Sequence, residues 1–360
     1  MLTLYKSSRT LVVGTALATL LSTTSLLAAP YVYVPVGGAG QILVIDAETG
    51  KSVDTYTGLE AVHGLAGTPD GQLLIAGSYT ERELGSGEPA KPQGVSAEDH
   101  AAHHAPKSAE AAATSDMMVS TVTILRQSSG EIIRAVDVPG AVHHVSVSPD
   151  GRYAVVTQPG NDAVTAIDLT TYEVVATVKS GSLPNYVVFS QDSNTLYVSN
   201  AGDNTIAVIG MDDWQVRTSI ATGESPEHMV LTQDGNTLFV NNNDDGSVGS
   251  IDLASGQMTE SYKIGDRLHG LDLSEDGTAL LVAERDGDRV ARVDLASGVV
   301  STVPMAPEPY HLTTIPGSGL AMVSSSDENA LRIIRQDDLS LVQKIELPDV
   351  GHQMVVAQSR

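Results

Sequence analysis

Beyond its first thirty residues the chain places apolar side chains in short alternating runs rich in Val, Ile and Thr, cut by clusters of Gly, Asn and Asp. This is the pattern of strands joined by hairpins, and no stretch of it carries a helical stripe. Ala154 to Thr157, Ala163 to Ile167 and Glu173 to Val178 read as successive strands of one unit. The unit repeats. The turn Ser148-Pro149-Asp150-Gly151 returns as Ser190-Gln191-Asp192-Ser193, Thr232-Gln233-Asp234-Gly235 and Ser274-Glu275-Asp276-Gly277, with the aspartates 42 residues apart each time. The end of a hydrophobic strand keeps the same interval at Asp168, Gly210, Asp252 and Asp294. A period near 40 residues holding about four short strands predicts an all-β fold, a β-propeller.

Six turns can be counted, from Thr68-Pro69-Asp70-Gly71 to the degraded Ile315-Pro316-Gly317-Ser318. The strand-end marker also occurs at Asp46, ahead of any turn. The first unit therefore has its later strands (Tyr31 to Val36, Gln41 to Asp46, Ser52 to Tyr56) without an innermost one. The run His352 to Ala357 reads like His144 to Ser148 and supplies it. The expectation is a seven-bladed β-propeller over residues 30–360, closed by a C-terminal inner strand shared with the N-terminal blade, which leaves no central edge unpaired. Asp70 and Asp150 are 80 residues apart where one period is 42, so blade 2 carries 38 more. That places an insertion at residues 81–118.

Residues 1–29 read as a signal peptide: Lys6 and Arg9, then an apolar run from Leu11 to Leu27, then the small residues Ala28 and Ala29. An uncleaved anchor is the competing reading, against which Ser22 to Ser25 interrupts the span. A periplasmic or secreted protein is expected, with no membrane insertion after cleavage. The chain has no cysteine, which excludes disulfides, thiolate metal sites and covalent c-type haem. Its net charge of −24 disfavours nucleic acid and anionic lipid as partners and attracts cations.

Leu196-Tyr197-Val198-Ser199-Asn200 and Leu238-Phe239-Val240-Asn241-Asn242, each followed by an Asp/Asn/Gly turn and a Val-Ile-Asp-like strand, resemble the YVTN-repeat propellers. Those are exported proteins related to YncE-type proteins and to the haem d1 domain of cytochrome cd1. The resemblance covers the mature chain outside the insertion and implies the fold. Function has to be argued from the site. A lone tryptophan, Trp214, sets aside WD40 repeats and quinoprotein dehydrogenases.

Counting back six or seven residues from each turn aspartate reaches the point where the chain enters an inner strand, at the channel mouth. Those places hold His63, His143 and His144, Asn185 and Tyr186, His228, His269, His311 and, in the closing strand, His352. Seven of the ten histidines are thus expected at one structural position. Neutral imidazole is the commonest protein ligand for zinc, copper and iron, and two to four rings could converge on one ion. Hydrogen bonding between blades is the alternative role.

The insertion carries the other three histidines. With Ser96 as cap and Pro106 as stop, His100, His103 and His104 share one helical face, near Glu98 and Asp99. Such a flap could chelate an ion, or could be a solvated lid. Met117 and Met118 could offer thioethers or anchor the loop. Asp162, Asp203, Asp244, Asp245, Asp286, Asp288, Asp327 and Glu328 put acidic turns on the same face. No nucleophile elbow is present, and no catalytic residue is assigned.

The leading expectation is an exported binder of zinc or copper in a metal-handling role, working with a small ligand or a periplasmic protein partner. It is similar in plan to periplasmic metallochaperones of the AztD kind, which combine a propeller with a histidine-rich loop. The alternatives are a haem d1-type tetrapyrrole binder or cofactor-dependent oxidoreductase accessory, with Arg267, Arg285 and Arg289 for the cofactor's carboxylates, and a protein-interaction platform.

Overall fold

The computed structural model describes residues 30–85 and 118–357. Residues 1–29, read above as a signal peptide, and His100, His103 and His104 lie outside them. The described chain folds as seven antiparallel sheets arranged as a β-propeller. From the axis outward, blade 3 is Val145–Val147, Tyr153–Gln158, Ala163–Asp168 and Glu173–Lys179. Blades 4 to 7 begin at the inner strands Pro184–Phe189, Pro226–Leu231, Leu268–Leu273 and Pro309–Ile315. Blade 1 joins the two ends of the chain: Tyr31 pairs with Ala357, Val32 with Val356 and Tyr33 with Val355.

Both faces of every blade are covered. Seven hydrophobic clusters lie among the described residues, each between two neighbouring blades. One unites Val155 and Val164 with Leu196 and Ile209; another unites Leu281 and Val290 with Val323 and Ile334. Double-sided burial explains why Ala163–Asp168 and Ala279–Glu284 are buried at every position, where a one-sided sheet would alternate. The outer strands, which face water, are mostly exposed.

The repeated turn is a small hydrogen-bonded device. Ser148 Oγ donates to Asp150 Oδ1 at 2.6 Å, Arg152 N donates to the same oxygen, and Ser148 Oγ accepts from Tyr153 N. Thr232 and Asp234, and Ser274 and Asp276, make the same bonds. These bonds hold the Asp276 carboxyl down to about 2. Blade 7 lacks the aspartate, and there Glu275 of blade 6 accepts from Gly317 N and Gly319 N instead. The strand-end aspartates cap hairpin turns, as Asp252 does for Ser255 and Asp294 for Ser297.

In blade 2, Leu73–Ser78 pairs directly with Met118–Arg126. A two-residue strand, Arg82–Glu83, lies against Val119 and Met118. The first residues assigned to the insertion are therefore sheet rather than loop. Met118, half-buried in a nine-residue strand, anchors the foot.

Candidate functional site

The inner strands do not run straight into the channel. In blade 4 Pro184 pairs with Asn200 and Val187 with Val198, so Asn185 and Tyr186 together oppose one residue. The same bulge sets Glu227 and His228 in blade 5, His269 and Gly270 in blade 6, and Tyr310 and His311 in blade 7. In blade 3, His143 N donates to Thr157 O while Thr157 N donates to His144 O, which opposes that pair to Thr157. A bulge re-aims side chains that a regular strand would alternate between faces.

The expectation of one histidine position is corrected by this register: there are two. The first place of the pair holds His63, His143, Asn185, Glu227, His269, Tyr310 and His352. The second holds Gly64, His144, Tyr186, His228, Gly270, His311 and Gln353. Where the second residue is glycine, the backbone leaves no room. A Cβ on Gly270 would lie 2.5 Å from Leu312 N and from Tyr310 O.

The two series nonetheless form a single closed circle. Successive ring centroids are 4.8 Å apart for His63–His143, 4.1 Å for His143–His144, 4.8 Å for His144–His228 and 4.5 Å for His228–His269. The circle continues at 4.8 Å for His269–His311, 6.3 Å for His311–His352 and 4.3 Å for His352–His63. Rings also meet across the axis, with His144 5.5 Å from His311. All seven are buried, the most exposed being His228 at 4 %. The site is thus inside the channel, deeper than the open mouth predicted from sequence. Tyr186 stacks on His228 and Tyr310 on His269, the latter at 3.8 Å. Desolvation pushes the Tyr186 phenol up to about 12.

Nitrogen roles follow from the hydrogen bonds. His63 Nδ1 lies 2.8 Å from His143 O, and His144 Nδ1 lies 2.8 Å from Asn185 O. A carbonyl can only accept, so Nδ1 carries the proton and, in the neutral ring, Nε2 carries the lone pair. His269 Nδ1 lies 3.0 Å from the Glu227 carboxylate, and Asn243 Nδ2 donates to that carboxylate's other oxygen at 2.8 Å. His144, His228, His269 and His311 bring ligand-type nitrogens within 4.8 Å of one another. A tetrahedral ion with bonds of about 2.0–2.1 Å spaces its donors about 3.3 Å apart, a contraction within reach of ring rotation. His63, His143 and His352 belong to the circle but not to this quartet.

Burial, and then the neighbouring rings of His228, His144, His63 and His352, holds His311 well below the ordinary imidazole range. Burial pushes His352 down to about 4 from 6.5. Both are neutral in the folded protein at neutral pH. Between these values the unfolded chain binds more protons than the folded one, so stability rises with pH there. For His352 the contribution is whole above pH 6.5 and lost progressively as the pH falls to about 4, on the order of 3 kcal/mol at 1.36 kcal/mol per unit. Urea melts of the ion-free protein should show a midpoint falling across this window. A His352→Gln variant should lose part of that slope, and an unchanged slope would contradict the assignment.

The closing segment adds one more group at the axis. Gln353 Oε1 accepts from Leu65 N at 3.2 Å and from Val145 N at 3.1 Å, and its Nε2 donates to Val145 O at 2.9 Å. One amide from blade 1 therefore ties the inner strands of blades 2 and 3.

Other sequence candidates fall into structural roles. Asp162 and Asp288 accept from Leu183 N and Glu308 N of the next blade's entry loop, and Asp245 accepts from Glu224 N of the loop entering its own blade. Arg285 pairs with Asp286, Arg289 with Glu284, and Arg267 lies between Asp244 and Asp286. All three arginines proposed for a cofactor's carboxylates are already engaged by acidic side chains.

Fold and site together define a class: a seven-bladed propeller whose channel is filled by buried imidazoles. The family model described as lactonase, seven-bladed β-propeller, matches residues 44–303, and the chain belongs to that family. Among curated proteins none matches it in sequence. Similar solved structures include Kuenenia stuttgartiensis hydrazine synthase, at TM-score 0.63 and 20 % identity over 79 % of this chain and 86 % of that one. The Pseudomonas aeruginosa periplasmic gluconolactonase gives 0.69 and 17 % over 91 % and 99 %. Dihydro-haem d1 dehydrogenase gives 0.62 and 14 % over 90 % of this chain and 66 % of that one. At such identities the likeness is one of fold alone.

Proposed function

We propose that the protein is an exported, non-enzymatic binder that takes up one zinc or copper ion in its channel and passes it on. The observation that carries this reading is the quartet of His144, His228, His269 and His311, whose nitrogens lie within 4.8 Å of one another in a buried site. Four neutral nitrogen donors suit zinc and copper and give calcium or magnesium nothing they prefer. His311 Nε2 is buried with no hydrogen-bond partner among the described residues, a polar atom that an ion would satisfy. Export rests on the signal-peptide pattern of residues 1–29, and capture by His100, His103 and His104 rests on their spacing.

A tetrapyrrole is the weaker reading. Imidazoles in contact across the axis occupy the bore where a macrocycle would lie. The family's lactonase description names no group of this site, and a fold shared among many activities does not transfer one. The test is metal content and the visible spectrum of protein purified from the export compartment. About one equivalent of zinc or copper, resistant to dialysis, is expected. A Soret band, or protein that takes up neither ion, would overturn the proposal.

A further inference from the structure

The seven-fold pattern is broken at one place in a way that hydrogen bonding between blades does not require. At the first position of the bulged pair, blades 1, 2, 3 and 6 carry histidine, blade 4 asparagine and blade 7 tyrosine. Blade 5 carries Glu227, a carboxylate at 1 % exposure. Its Oε2 is 3.0 Å from His269 Nδ1 and its Oε1 accepts from Asn243 Nδ2. By contrast, His63 Nδ1 and His144 Nδ1 contact main-chain carbonyls, at His143 and Asn185.

We infer that Glu227 is the positioning residue of the ion site: it fixes His269 with Nδ1 protonated and Nε2 turned to the ion, and it supplies the negative charge that lets a dication reside among four neutral rings. The inference rests on the proposed ion site and goes beyond it. A dication held only by neutral ligands, away from water, is costly to bury. A carboxylate behind one ligand offsets part of that charge without occupying a coordination place. It also raises the basicity of the imidazole it holds, the role that outer-shell carboxylates have at histidine-bound metals. Tyr310, stacked 3.8 Å from His269 and nearly parallel to it, restricts ring rotation on the other side. His269 is thus held on one side by a carboxylate and on the other by a stacked ring.

The test compares full-length wild type with Glu227→Gln and Glu227→Asp, titrated with zinc against a competing chelator and with cobalt as a spectroscopic probe. Glu227→Gln should weaken zinc 10- to 100-fold, the usual effect of losing an outer-shell partner, and shift the cobalt d–d bands. Glu227→Asp should recover much of the affinity. A structural role alone would lower the melting temperature of both variants without moving the cobalt spectrum. Should Glu227→Gln fail to fold, nitrogen-15 NMR of the wild type decides the matter, since His269 must be the Nδ1–H tautomer. Wild type binding with unchanged affinity and spectrum in Glu227→Gln, or His269 protonated on Nε2, sinks this inference and leaves the ion site standing. A wild type that binds neither zinc nor cobalt overturns both.

Discussion

His311→Ala should weaken zinc or copper binding by more than a hundredfold, while His143→Ala should change it by less than about threefold. Both rings are buried parts of the same circle, and only His311 belongs to the quartet. Loss of an outer-shell partner already costs 10- to 100-fold, and loss of a ligand exceeds that. Thermal denaturation reads the difference. An ion at a thousand times its Kd stabilises the wild type by about 4 kcal/mol; the same concentration, now about ten times Kd, gives the variant about 1.4 kcal/mol. Equal losses in the two variants would show that the circle acts as a whole and that no quartet is singled out.

The second large effect concerns Gln353→Ala, which should destabilise the propeller by about 3–6 kcal/mol. Gln353 hydrogen-bonds three inner-strand groups, Leu65 N and the N and O of Val145. A buried backbone group left unsatisfied costs about 1–3 kcal/mol, a large share of a total of about 5–15. Urea melts at equilibrium measure it. A loss below about 1 kcal/mol would mean that water takes over the amide's bonds.

Much of the architecture was legible because each blade repeats the same chemistry. The Ser/Thr-x-Asp turn and the strand-end aspartate each satisfy fixed backbone groups, so their spacing reports the strand count directly. Closure was legible for the same reason: His352 to Ala357 resembles the other inner strands, and Val355 to Ala357 pair with Tyr31 to Tyr33. The site was only half legible. Histidines cluster visibly in sequence, but a period counted in whole blades does not show that a bulge sits inside each inner strand. The signal was present in the offsets. His144 and His228 stand two periods apart, and His143 and His269 three, so the histidines belong to two interleaved series. Glu227 was overlooked because an acid one residue before a histidine has no motif. Its meaning depends on the following blade, where His269 lies 42 residues on. Depth was illegible too, since ring-to-ring packing across the axis depends on how far seven blades lean inward.

The pairing of residues 355–357 with residues 31–33 also orders events in time. Six blades can gather their own strands as the chain emerges, yet His352 and Gln353 arrive after every other ring member. A nascent or clipped molecule lacking this short stretch has neither its clasp nor its full crown of imidazoles. Closure of the ring therefore waits on the last inner strand, whereas His144, His228, His269 and His311 all lie upstream of it.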